Sequence, residues 1–150
     1  MVQEGRSPGR HRDPHLITGT DLRPGDVVSS AFAPEPTCLD VFIGCPDAHN
    51  AGDDVCVSGW LDKVEYYGPH LPSLRRKGYG YRPWCTTCWG RQHDDSQQVV
   101  RYLAGRVARS RGLPDARAVE ADIRGDISVA IWRHNARQLQ KCMPGVEPGD

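Results

Sequence analysis

The chain has 150 residues, 19 basic and 19 acidic side chains, 38% hydrophobic residues, 16 Gly and 12 Pro. That length suits one domain, or a domain with a helical appendage, and the balanced charge excludes an overall basic footprint. No apolar run reaches the roughly 18 residues of a membrane span, and a chain with only two Phe and two Met gains from a covalent or metal staple.

Residues 1–14 are polar and read as a disordered arm, without the apolar stretch of a signal peptide. The expected compartment is therefore the reducing cytoplasm, where six cysteines read as metal ligands or buried thiols rather than disulfides. The cations are nearly all Arg, with three Lys, which suits a GC-rich coding genome such as a bacterial or phage one. They are unevenly spread: residues 1–50 hold four basic and seven acidic groups, residues 91–141 ten and six.

His15–Thr20 is expected as a short strand, followed by a turn at Arg23-Pro24-Gly25-Asp26 and a return strand over Val27–Phe32. The β-branched and aromatic run Cys38–Ile43 reads as a strand. Val55–Tyr67 reads as the longest strand, on apolar residues at Val55, Val57, Leu61, Val64 and Tyr66, with a bulge at Gly59. A short strand over Tyr81–Trp84 delivers the chain to Cys85. Beyond Trp89 the period changes. Asp95 with Gln98 resembles a capped helix start, and Val99, Val100, Leu103 and Val107 follow at helical spacing up to Gly112. A second helix carries Val119, Ile123, Ile127 and Ile131 toward Lys141, with Gly125 as a weak point. The expected fold is α+β: a small antiparallel, zinc-stapled β unit over 15–92, a C-terminal helical hairpin over 93–141, and a flexible tail over 142–150.

Zinc takes four ligands in a tetrahedron, with Zn–S of about 2.3 Å, and two thiolates from one tight Cys-x2-Cys turn can supply half of it. Cys85-Thr86-Thr87-Cys88 has that spacing. Cys45 and Cys56, which flank one loop, are the preferred second pair; a Cys-x3-His turn from Cys45 to His49, or Cys38 with Cys45, are rivals. Four thiolates leave no open position for water, so the zinc-ribbon-like site is expected to be structural.

Arg75-Arg76-Lys77-Gly78-Tyr79-Gly80-Tyr81-Arg82-Pro83-Trp84 interleaves cations with aromatic rings. Cations attract phosphate and ring faces stack on unpaired bases, so Arg75, Arg76, Lys77, Tyr79, Tyr81 and Arg82 are the candidate nucleic-acid contacts. The alternative is a solvated basic loop whose rings pack on the sheet. No phosphate loop, nucleophile elbow or His-Glu-x2-His motif is present, and whether the chain is an enzyme stays open. The expected function is a non-catalytic, zinc-stabilised binding module for nucleic acid. The second reading is a protein-interaction adaptor or structural subunit docking through the hairpin, and the third a small hydrolase or nuclease.

Overall fold

The computed structural model describes residues 25–47 and 53–142. The expected N-terminal arm, the strand over His15–Thr20, His49 and residues 143–150 of the tail lie outside them. In chain order the elements are β1 (Val27–Ser29), β2 (Thr37–Gly44), α1 (Val55–Tyr67), a single 3-10 turn (Gly68–His70), α2 (Leu71–Arg76), β3 (Gly80–Thr87), α3 (Asp94–Ser110) and α4 (Arg117–Cys142). The α+β class stands, but the sheet is not an antiparallel unit. Its order is β1-β2-β3; β1 is antiparallel to β2, whereas β2 and β3 are parallel, in register from Thr37 with Gly80 to Gly44 with Thr87.

The difference comes from α1, which the alternation of Val55, Val57 and Leu61 makes look like a strand. Asp54 decides otherwise: its carboxylate accepts from the backbone N–H of Cys56 and Val57, capping a helix start. The buried positions are then Cys56, Gly59 and Tyr67, at helical spacing, while Val57 and Leu61 are left 40% and 53% exposed. A helix between β2 and β3 is the connection that two parallel strands require.

The two-residue period of the strands sorts their side chains onto two faces. On one, Cys38 packs with Tyr67 and Leu74, and half-buried Tyr79 and Tyr81 join them. On the other, Leu39 and Trp84 pack against Val99 of α3, with Val41 and Ile127 beside them. A third cluster, Ala104, Ala108 and Val119, closes the seam between α3 and α4. These helices form the expected hairpin and run antiparallel: Ala108 and Val119 meet near the turn, and the Arg124 guanidinium reaches Gln92 at the far end. Gly112, at φ +66°, makes that turn. The start of α3 lies earlier than the Asp95 cap suggests: His93 Nδ1 accepts from Asp95 N–H, and the helix begins at Asp94. Among the described residues no helix is long and apolar enough to cross a membrane.

Candidate functional site

Cys85 lies in β3 and Cys88 just beyond its end. Cys85 is thus held on the strand, while Cys88 stands in the turn that brings the chain back to pair at Gln92. The proposed ligands are divided accordingly. Cys85 faces α1 and lies within electrostatic reach of Cys56; both are fully buried, and the Cys56 thiol donates to the Arg91 carbonyl at 3.4 Å. Cys45 and Cys88 continue the β2–β3 register: Cys88 N–H donates to the Gly44 carbonyl at 2.8 Å, and burial and then the neighbouring Cys45 raise the Cys88 thiol above its ordinary value. Cys38 is buried in the core cluster under α1 and α2. Among the described residues no group of three or more His, Cys, Asp or Glu side chains is placed to hold a metal ion.

Burial pushes the Cys85 thiol up to about 12, with the neighbouring Cys56 adding to the effect, and burial raises Cys56 as well. Tyr67 is held at about 12 by burial and then by the Asp40 charge. Tyr81 is raised further still by the same two causes. In the unfolded chain these groups ionise near 9.0 for Cys and 10.0 for Tyr. The folded state therefore holds their protons more tightly. That stability is fully present below pH 9.0 and is lost as pH rises through about 12. A melting temperature that falls steeply across this alkaline window is expected from scanning calorimetry; a flat profile would place these groups in water instead.

The basic–aromatic segment is split by structure. Arg75 and Arg76 end α2, and together with Lys77 they are exposed on the turn into β3. Tyr79 is half-buried. Tyr81 points inward, because β3 starts at Gly80 and the strand period aims the second residue at α1. Its ring lies 4.9 Å from that of Tyr67, and its hydroxyl donates to Asp40 Oδ2 at 3.1 Å. Tyr81 is thus partly covered by Tyr67 and tied to Asp40 rather than free in solvent.

Along the free edge of β3 runs a cleft of about 560 Å³. Arg75 and Arg82 supply its cations, Trp60, Tyr79 and Tyr81 its rings, and Glu35 and Asp95 its carboxylates; Arg76 and Lys77 stand outside it. Trp60 is fixed in place: its Nε1 donates to Asp95 Oδ2 at 2.8 Å, and its ring stacks on His93 with centroids 5.1 Å apart. Behind Tyr81 lies Asp40, only 5% exposed, whose carboxylate accepts from Lys63 Nζ at 2.9 and 3.0 Å.

Sequence reasoning did not join Trp60, Lys63, His93 and Asp95 to a site, since residues 23 and 35 positions apart carry no pattern that links them. Asp40 did leave a signal, a carboxylate inside the apolar run Cys38–Ile43. Among the helix arginines, Arg106 donates to the Ser30 carbonyl, Arg101 pairs with Glu120, and Arg124 bonds Glu120 and Gln92. No protein-family model, no curated protein and no solved structure matches the chain.

Proposed function

We propose that the cleft beside β3 binds a nucleic-acid strand. The observation that carries this reading is the convergence of Arg75 and Arg82 with Trp60 and Tyr79 in one groove. Guanidinium groups pair with phosphate oxygens, and aromatic faces accept bases without regard to sequence. Arg76 and Lys77, exposed beside the groove, add to the local positive field. Binding is then expected to weaken with salt. Changing Arg75 and Arg82 to Ala should lower the slope of log affinity against log salt by about one for each phosphate that is no longer neutralised. Fluorescence anisotropy with single-stranded and duplex oligonucleotides tests this, and absence of binding at low salt rejects it.

Two further readings rest on separate observations. Asp40, Lys63 and Tyr81 form a part-buried carboxylate–ammonium–phenol group that reaches the groove through Tyr81. Such groups can serve in proton transfer or charge stabilisation during phosphodiester hydrolysis. Strand scission by the native chain that Asp40→Asn abolishes would support a hydrolase; intact strands in the presence of divalent ions would remove it. An adaptor role is favoured by Trp89 and Trp132, 60% and 55% exposed and meeting edge to face at 5.8 Å on the α4 side.

Zinc is a separate proposal. One ion held by Cys45, Cys56, Cys85 and Cys88 together would need the two pairs to draw closer, since among the described residues no three such side chains are placed around one point. One zinc per chain after purification under reducing conditions supports it, and none rejects it.

A further inference from the structure

We propose that Cys45 and Cys88 are a thiol–disulfide exchange site that closes an intramolecular disulfide when it meets a small disulfide of the glutathione class. The strand register brings the two residues together. β2 and β3 pair in parallel as far as Gly44 with Thr87, and the next residue on each strand is a cysteine. Neighbouring strands lie about 4.8 Å apart, inside the range of Cα separations that a disulfide spans. The backbone bond from Cys88 N–H to the Gly44 carbonyl holds the pair in step.

Access separates this pair from Cys38, Cys56 and Cys85. Cys45 is exposed and Cys88 partly so, whereas Cys38, Cys56 and Cys85 are buried and closed to an oxidant in solution. The exposed Cys45 is thus the entry sulfur. Its thiolate attacks one sulfur of the small disulfide, forming a mixed disulfide and releasing one thiol. The Cys88 thiolate then attacks the Cys45 sulfur, forming the internal bond and releasing the second thiol. Two protein thiols are oxidised, one small disulfide is reduced to two thiols, and the protons pass to solvent.

The bond would tie the ends of β2 and β3 around α1 and α2. It would also fix the turn that follows, where the Cys88 carbonyl accepts from Asn135 of α4 at 2.9 Å and Trp89 meets Trp132. A closed loop of this length is expected to raise the melting temperature by about 10 °C.

The test is incubation of the folded, fully reduced chain with oxidised glutathione, followed by peptide mass mapping and thermal denaturation. The expected product carries a Cys45–Cys88 bond, keeps no glutathione and melts higher than the reduced chain. Cys88→Ser should trap glutathione on Cys45 without the rise, and Cys45→Ser, at an exposed position that leaves the core untouched, should give neither. Glutathione retained on the native chain, a crosslink mapped to any other pair, or one joining two chains would each overturn the proposal.

Discussion

Replacing Lys63 by Ala is expected to destabilise the fold by about 3 kcal/mol, a cost measured as a lower midpoint of urea unfolding. Asp40 sits on β2 under α1 with its side chain 7% exposed, and Lys63 reaches both of its oxygens. Without the ammonium, a carboxylate that water barely touches keeps the Tyr81 phenol but no positive charge from Lys63. A buried charge that loses its partner costs about 3–5 kcal/mol. The lower end applies because the Lys63 side chain is 29% exposed, so water can follow the truncation part of the way. The contrast lies in the double substitution. Asp40→Leu with Lys63→Met removes both charges, and an apolar pair in place of a buried ion pair is often neutral or stabilising. Lys63→Ala alone should therefore be worse than the double variant. A single variant within ~0.5 kcal/mol of the native chain would mean that Asp40 is hydrated, and the hydrolase reading would lose its buried carboxylate.

Little of that group was legible in the sequence, and the reason is topological. In an antiparallel unit the partners of a strand residue lie on the next strand, at a distance set by one turn. In a parallel pair the crossover helix comes between, so Asp40 meets Lys63 on the helix and Tyr81 on the far strand. No spacing rule anticipates such a set. Elements whose pattern was self-sufficient were readable: β2 from its β-branched run, and α3 and α4 from Val99, Val100, Val119 and Ile131 at helical spacing. The cysteine spacing gave one half of a ligand set and left the other half open: Cys85 is on the strand and Cys88 in the turn that follows it. The basic–aromatic segment was half legible. Its cations at Arg75, Arg76 and Lys77 are exposed, as solvation demands, while the inward period of β3 turned Tyr81 to Asp40.

Gly59 shows the same ambiguity and yields an opposite pair of outcomes. A glycine inside an apolar alternation reads as a bulge, yet here it lies in α1, where Gly normally costs about 1 kcal/mol relative to Ala. The structure shows what favours it. A Cβ at Gly59 would lie 2.3 Å from Phe42 Cε1 and 2.5 Å from Cδ1, so the helix can rest on the ring only at a residue without a side chain. The same ring edge also lies against Gly44, where a Cβ would come within 2.8 Å of Phe42 Cε1 and 2.5 Å of Val55 Cγ2, so there is little slack for the ring to yield. Gly59→Ala is therefore expected to lose about 2 kcal/mol despite its better helix propensity, and Gly59→Leu more, since both force α1 off the sheet. Gly125 in α4 is the control, with nothing within 4 Å of its would-be Cβ. There the same change should add roughly 0.5–1 kcal/mol. Shrinking the ring with Phe42→Ala should remove most of the penalty of Gly59→Ala in a double-mutant cycle. If Gly59→Ala stabilises the chain as Gly125→Ala does, α1 does not pack on Phe42. The parallel β2–α1–β3 arrangement that places Asp40, Lys63 and the groove together would then have to be redrawn.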